Sequence, residues 1–498
     1  MSRINYKIII NLFGLLLLFN SGFMFLSTLV SLYFNDGVTL DFFKAGMIVF
    51  VIGSIFFFTT KNNDQQIQKK EVFIIVTFGW LLMICSGMLP FIFTDSIPQI
   101  SYAFFETSSG YTATGSSVVE DIENLPESIL FWRSTTHWIG GMGIIVLAVA
   151  ILPLLGVGGM QLFSAETPGP RGNKLHPRIA DTAKRLWYIY VGLTIVETLL
   201  LNIAGMGFFD SINNSMSTIA TGGFSTKNAS ISHWNDNPLI QYIIIFFMFI
   251  SGANFVLSYF ALKGKVNKFI NDEEFRVYFV FIFISFIVVS FVLYFNVDLT
   301  NSKFDHPQIY GKFESSIRHA LFQVIAVITT TGLVTSDFSG WTPFLTVFFF
   351  SLMFVGGSSG STSGGVKIIR HLLMIKSAFL ELKRSLHPSV IIKPRYNGSI
   401  VDQNIVHNIY GFLILYVLLF ISGVFFFTLI GLDFKSALGV SAASLGNVGP
   451  AIGDFGPSFT YASLPQLGKY LASFLMIFGR LELFTVFIIF TPYFWKNR

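Results

Sequence analysis

The chain has 498 residues, of which 53% are hydrophobic and only 12% charged, with 59 phenylalanines. A soluble protein carries roughly twice that charged fraction, so the composition excludes an ordinary soluble enzyme, and no nucleic-acid partner is expected despite the net charge of +5. The single cysteine, Cys85, lies in an apolar run and excludes an intramolecular disulfide.

Apolar runs of roughly 20 residues, long enough to cross a bilayer, recur from end to end. They fall near 8–33, 42–60, 71–94, 130–155, 185–207, 238–262, 276–297, 342–375, 405–431 and 466–494. The first follows Arg3 and Lys7, is long and has no small-residue cleavage site, so it reads as a retained span rather than a signal peptide. Basic residues collect at the N-terminus and in alternate loops: Lys61, Lys69 and Lys70; Arg171, Lys174, Arg178, Lys184 and Arg185; Lys263, Lys265, Lys268 and Arg276; the stretch 367–395; and Lys496 with Arg498. The positive-inside rule puts these segments, and both termini, in the cytoplasm. The opposite loops hold Asp95, Glu106, Glu120, Asp121, Glu123, Glu127, Asp210, Asp298, Asp305, Glu314, Asp433 and Asp454, mixed with Lys303, Lys312, Arg318 and Lys435. Such an outer face raises the local cation concentration, to an extent that salt limits.

Within the outward loops one phrase recurs four times: SSGYTATG (108–115), SMSTIATG (215–222), IAVITTTG (325–332) and GVSAASLG (439–446). A single copy would be an ordinary Thr/Gly turn. Four copies, each between two apolar runs, describe a repeated unit of span, re-entrant helix, glycine turn and span. The units run at about 71–155, 185–262, 276–375 and 405–494. The predicted fold class is an all-α integral membrane protein with four pseudo-symmetric span–pore-loop–span repeats around one pore, plus two N-terminal spans. The division of the chain is 1–70 for the leading spans, then 71–182, 183–270, 271–400 and 401–498 for the repeats. The longest inner stretch, 367–404, reads as a helix continuation followed by a loop with Pro388 and Pro394.

The phrase suits a monovalent cation. An ion entering a narrow path gives up hydration, and backbone carbonyls replace that water when an extended chain aims them at the axis. Glycine permits the dihedrals and the close approach. Thr and Ser add hydroxyl oxygens, and the C-terminal end of the preceding short helix carries partial negative charge. In the fourth copy Ala443, Ser444 and Leu445 replace the Thr-rich stretch, but Gly446-Asn447-Val448-Gly449-Pro450 still supplies glycine and a tight turn.

Three further features stand out. The stretch 356–365 (GGSSGSTSGG) interrupts an apolar run and predicts an unwound segment. It nearly spells a phosphate-binding loop, but Lys367 does not follow Gly365 directly and Ile368 stands where Ser or Thr is required. Arg480 lies inside the last run, where a charge faces a partner or a cavity; it either pairs with Glu482 or Glu197, or it contacts the unwound segment or forms an electrostatic barrier. His137, beside Arg133 and Trp138, reads as a packed, hydrogen-bonded histidine.

Taken together, FFETSSGYTATGSS (104–117), WRSTTHWIGGMGIIVL (132–147), SMSTIATGGFST (215–226), TTTGLVTSDF (329–338), MFVGGSSGSTSGGVKIIR (353–370), LGNVGPAIG (445–453) and GRLELFTV (479–486) resemble the TrkH/TrkG/KtrB family of potassium transporters over nearly the whole chain. The two leading spans and the length are more similar to its TrkH branch than to the shorter KtrB branch. The resemblance implies potassium uptake across the bacterial cytoplasmic membrane, K+ being the transported ion, with no organic cofactor on this chain. It maps the filter glycines to Gly115, Gly222, Gly332 and Gly446, preceded by Thr114, Thr221, Thr331 and Leu445. Glycine at all four goes with potassium preference in the family. The gate it implies is the intramembrane loop holding Gly356, Gly357, Gly360, Gly364 and Gly365, together with Arg480. The partners it implies are a second copy of the chain, a cytoplasmic ring of TrkA-like RCK subunits that bind nucleotide, and the lipid bilayer. A polytopic membrane enzyme would need an intramembrane cluster of histidines or acids, and only Glu197, Glu482 and Arg480 fall deep in apolar runs. A non-transporting scaffold would leave the repeated loops unexplained.

Overall fold

The computed structural model describes residues 4–60, 68–155, 175–299, 304–387 and 392–496. Arg3, Lys61, Arg171, Lys174, Lys303, Pro388 and Arg498 of the charge and proline pattern lie outside the described residues, as do the side chains of Lys69 and Arg178.

Two helices lead, α1 (Tyr6–Phe34) and α2 (Thr39–Thr59). Their turn uses Asn35 and Gly37 in the left-handed region. Glycines bring the two backbones together: a Cβ on Gly14 would lie 2.6 Å from Phe57 N, and one on Gly53 2.9 Å from Leu17 Cβ. Small residues permit this close packing where lipid supplies no hydrophobic drive between helices.

The first group of helices after them comprises α3 (Lys69–Gly87), α4 (Leu89–Phe93), the short α5 (Ile100–Tyr111) and α6 (Glu127–Leu155). The second holds α7 (Leu175–Ile203), the short α8 (Phe208–Ile219), α9 (Pro238–Ser251) and α10 (Phe255–Leu262), with α11 (Val266–Ile270) after it. In the third, α12 (Glu273–Asn296), α13 (Gly311–Ile328), α14 (Pro343–Leu352) and α15 (Ile368–Leu386) are followed by an antiparallel hairpin of β1 (Arg395–Tyr396) and β2 (Ser399–Ile400). The fourth holds α16 (Gln403–Leu429), α17 (Phe434–Gly446), α18 (Gln466–Arg480), α19 (Leu483–Phe487) and the terminal α20 (Pro492–Trp495). Local chemistry sets the starts. Pro238 and Pro343 open their helices, where the missing N–H costs nothing. Asp272, Asp402 and Asp433 cap α12, α16 and α17 by accepting from Phe275, Asn404 and Ser436 N–H.

Among the described residues six helices are long and apolar enough to cross a membrane, and two bent helix pairs pass the same test. No more than 39% of the apolar window in any of the six is buried, so their greasy faces point outward. Leu29, Phe291, Phe425 and Leu429, for example, are exposed. Inside, where the short helices α5, α8, α13 and α17 converge, Ser, Thr and Asn are buried instead. This inversion of the soluble-protein pattern fits lipid as the outer solvent.

Four expectations need correction. The runs 238–262 and 466–494, read as continuous spans, are bent by 107° and 110° at their breaks. Gly252 packs on Thr329 and Tyr278, and Asn254 starts a new helix by capping Val256 N–H; at the other break Glu482 sits at φ 62. The run 342–375 is likewise two helices separated by non-helical backbone. The inner stretch 367–404, expected as helix plus loop, also carries the β-hairpin, turned by Asn397 and Gly398 at φ 48 and 77. Asn-Gly is the usual residue pair for such a turn.

Candidate functional site

Each short buried helix ends in the same capping turn. Ala113, Thr221, Thr330 and Asn447 take the left-handed conformation, with φ 50, 54, 55 and 54. Their N–H groups donate three residues back, to Gly110, Thr218, Val327 and Ser444 carbonyls. The next residues, Thr114, Gly222, Thr331 and Val448, donate five back, to Ser109, Ser217, Ala326 and Ala443, at 2.8–2.9 Å. This is the Schellman pattern that satisfies orphan helix carbonyls, made four times in one register. The following residue is always a glycine at positive φ: Gly115, Gly223, Gly332 and Gly449, with φ 87, 95, 69 and 96.

These glycines close a ring. A Cβ on Gly115 would fall less than 3.0 Å from the Gly222 carbonyl oxygen, one on Gly223 from that of Thr331, one on Gly332 from that of Val448, and one on Gly449 from that of Thr114. Each turn thus abuts the next in chain order, and the fourth returns to the first. A side chain at any of the four would strike backbone, which has no rotamer to retreat into. Each turn thus sets one carbonyl, of Thr114, Gly222, Thr331 or Val448, against a glycine of a neighbouring turn.

The register differs from the one read off the sequence at two quarters. Thr114 with Gly115 and Thr331 with Gly332 sit where expected. In the second quarter Thr221 is the left-handed residue and Gly222 the carbonyl donor of the ring, so the ring glycine is Gly223. In the fourth, Leu445 and Gly446 still belong to α17 and pack on Gly479 and Met353. Asn447 makes the turn and Gly449 is the ring glycine. The signal was in the sequence: asparagine tolerates the left-handed region, and a glycine follows two positions later.

Buried polar side chains brace the ring from behind. Glu106 on α5 accepts from Arg133 Nε at 2.9 Å, from Val118 N–H at 2.9 Å and from Ser117 Oγ at 3.0 Å. Arg133 also donates to Ser225 carbonyl at 3.3 Å and lies 4.2 Å over the Phe224 ring. One ion pair therefore ties the chain after Gly115 to the chain after Gly223. Glu106, expected on the outer acidic face, is instead fully buried. Arg318, placed in an outer loop, is buried too, bonded to Glu314 and Gln241. His137 is packed as expected: it stacks on Phe224 at 4.0 Å and bonds Ser217 Oγ at 3.1 Å. On the fourth side Tyr461 Oη and Ser116 Oγ donate to Gly449 carbonyl at 2.9 and 3.1 Å, and Asn447 Nδ2 donates to Thr114 Oγ1 at 3.0 Å.

Below the ring runs the non-helical segment containing Gly356, Gly357, Gly360, Gly364 and Gly365, unwound as expected. Gly364 N–H donates to Thr330 Oγ1 at 2.6 Å, and Thr362 Oγ1 donates to the Ile219 carbonyl at the end of α8 at 3.0 Å. Gly364 also lies against Asn447 and Gly446. The segment is thus fastened to the undersides of three of the four turns' helices. Arg480, 3% exposed, donates to the Thr362 carbonyl at 2.6 Å. Its Nε and second terminal nitrogen have no partner among the described residues. Of the alternatives open for Arg480, contact with the segment is the one present. Glu482 pairs with Arg370 instead, and among the described residues no ion pair joins Arg480 to Glu197. Sequence reasoning did not find Glu274, whose carboxylate accepts from both N–H and Oγ of Ser359 at 2.5 and 2.6 Å.

Comparison with known proteins agrees over the whole chain. The family model described as "TrkH: Cation transport protein" matches residues 39–496. The Trk system potassium uptake protein TrkH of Escherichia coli K12 is 40% identical over 99% of this chain and 100% of its own length. The Trk system potassium uptake protein TrkG of the same organism is 34% identical over the full length of both. The crystal structure of the potassium transporter TrkH from Vibrio parahaemolyticus superposes with a TM-score of 0.88 at 36% identity, covering 99% of this chain and 100% of that one. The chain belongs to the TrkH family of cation transport proteins.

Proposed function

We propose that this chain takes up potassium across the bacterial cytoplasmic membrane, and that the ring carbonyls of Thr114, Gly222, Thr331 and Val448 form its selectivity filter. The observation that carries the reading is the fourfold repetition of one capping turn, which sets carbonyls against glycine backbone with no room for a side chain. Backbone carbonyls gathered in a ring can replace the hydration shell of a cation. Four short helices aim their C-terminal, partly negative ends at the same place. The relatives named as potassium uptake proteins support potassium as the cargo.

The unwound segment 356–365 is the gate in this reading, and Arg480 restrains it through Thr362. The basic inner segments face the cytoplasm with both termini and dock a nucleotide-binding RCK-type subunit, and the chain works as a homodimer. The test is flux in proteoliposomes. Potassium and rubidium should permeate better than sodium and lithium. Equal sodium and potassium flux through well-folded protein would overturn the assignment.

A further inference from the structure

The N-cap and the first two residues of α12 are three acids in a row, Asp272, Glu273 and Glu274. Asp272 accepts from Tyr396 Oη at 3.2 Å and from Asn397 Nδ2 at 2.7 Å, both on the β-hairpin. Burial pushes the Tyr396 phenol far above its ordinary range, so it remains a donor. Glu273 gives its N–H to Asn397 Oδ1 at 2.9 Å, and its carboxylate pairs with Lys376, whose ammonium also donates to the Arg395 carbonyl at 2.8 Å. Glu274 turns inward, is 1% exposed, and takes both polar groups of Ser359. The hairpin and the unwound segment, about 35 residues apart along the chain, are therefore held by adjacent residues of one helical turn.

The segment has two limbs. The inner limb, around Thr362 and Gly364, lies under the ring. The outer limb, Ser358 to Gly360, lies between Glu274 and the break of α9 and α10. There Ser358 N–H donates to the Gly252 carbonyl at 2.8 Å and Phe255 N–H to the Gly360 carbonyl at 3.2 Å. Those two bonds are between neutral backbone groups. Glu274 gives the outer limb two further bonds, both from one side chain of α12 to the polar groups of Ser359.

We infer that Glu274 is a latch: it positions the intramembrane segment through Ser359, and through Asp272 and Glu273 on the same turn it couples that segment to the cytoplasmic β-hairpin. The inference rests on the reading of 356–365 as the gate. A displacement of the hairpin by a cytoplasmic partner pulls on the first turn of α12, and the latch passes that movement to the outer limb. Among the described residues the hydrogen bonds of Glu274 go to Ser359 and none to the ring, so it governs how often the path is open and not which ion passes.

The test uses rubidium and sodium uptake into proteoliposomes containing the full-length chain, with and without a shortened 356–365 segment, after each variant is shown to be monodisperse. Glu274→Gln keeps the side-chain shape and replaces one of the two accepting oxygens by an amide NH2. It should raise rubidium uptake roughly fivefold, the scale of one hydrogen bond, with the rubidium-to-sodium preference unchanged. Ser359→Ala, which leaves the carboxylate in place, should act in the same direction more weakly. Asn397→Ala, on the hairpin, should raise uptake on its own and add almost nothing to Glu274→Gln, because both release one linkage. Neither latch variant should matter once the segment is shortened. Unchanged uptake in Glu274→Gln and Ser359→Ala, an equal rise with and without the intact segment, or strict additivity with Asn397→Ala would each overturn the latch. Loss of uptake on shortening the segment alone would instead strike the gate assignment, and the latch would fall with it.

Discussion

The ring and the segment beneath it are both rich in glycine, hydroxyl residues and irregular backbone, yet they are held in opposite ways. In the ring, every turn is closed by backbone hydrogen bonds within its own helix end, and every glycine is in contact with the neighbouring turn's carbonyl. Nothing there moves without moving backbone. The segment is tied down largely by side chains: Thr330, Thr362, Arg480, Glu274 and Lys367, the last donating to Ser363 carbonyl and hydroxyl. Side-chain ties switch between rotamers at small cost, whereas a close-packed ring does not deform continuously. The same residue types are thus held by backbone in one layer and largely by side chains in the next, and what separates the layers is which atoms make the bonds.

The largest effects should come from the ring. Gly449→Ala places a Cβ against the Thr114 carbonyl at φ 96, adding roughly 1–2 kcal/mol for left-handed backbone to about 1–3 kcal/mol of overpacking. Potassium preference over sodium should collapse, and Gly115→Ser should do the same. Gly446→Ala, three residues earlier on α17, should lower the yield of folded protein and leave the preference intact. Ion flux for this pair decides the register: if Gly446→Ala alters selectivity and Gly449→Ala does not, the ring is assigned wrongly.

Next in size is the brace. Arg133→Met leaves Glu106 buried without its partner, a change that costs about 3–5 kcal/mol. The melting temperature in detergent should fall sharply, and sodium leak should rise because the chains after Gly115 and Gly223 lose their common tie. Adding Glu106→Gln should recover much of the stability. If Arg133→Met melts normally with unaltered selectivity, the ring does not depend on side chains behind it.

Arg480→Ala should act on the other layer. It removes one charged hydrogen bond to Thr362, worth about 1.5–3 kcal/mol, so potassium flux should rise roughly tenfold or more with the potassium-to-sodium preference unchanged. A drop in flux would show that the arginine supports the path instead of restraining it.

How much of this was legible beforehand depended on the range of the interaction. The four repeats, the unwound segment and the approximate turn positions follow from local composition, since glycine and threonine runs in an apolar chain leave few alternatives. The break at Gly252 was not legible, because its cause is Thr329 and Tyr278 pressing on it from other helices. Glu106 looked like one more outer acid because nothing in its neighbourhood announces Arg133, 27 residues away. Glu274 was hidden for the same reason, with Ser359 85 residues distant. The second and fourth ring glycines lie past the glycine that ends each phrase, because stopping at that glycine ignores where the helix ends; backbone capping, which is local, gives the register once Asn447 is taken as the left-handed residue.

The smallest effect tests that last point within the ring itself. Thr221 and Thr330 are β-branched residues held at φ 54 and 55, a conformation such residues rarely adopt, while the equivalent position in the fourth turn carries Asn447. Thr221 spends its hydroxyl on the adjacent Ala220 carbonyl at 2.6 Å, a bond that serves nothing beyond its own turn. Thr221→Asn should therefore relieve strain and raise the melting temperature slightly, by the equivalent of at most about 1 kcal/mol, with flux and selectivity unchanged. Thr330 is different, because its hydroxyl accepts the Gly364 N–H. Thr330→Val keeps the strain, removes the acceptor and leaves that N–H unpaired, so it should loosen the segment and raise flux while the ring stays selective. If Thr221→Asn changed gating as much as Thr330→Val, the two layers would not be separable, and the division between a fixed ring and a movable segment would have to be abandoned.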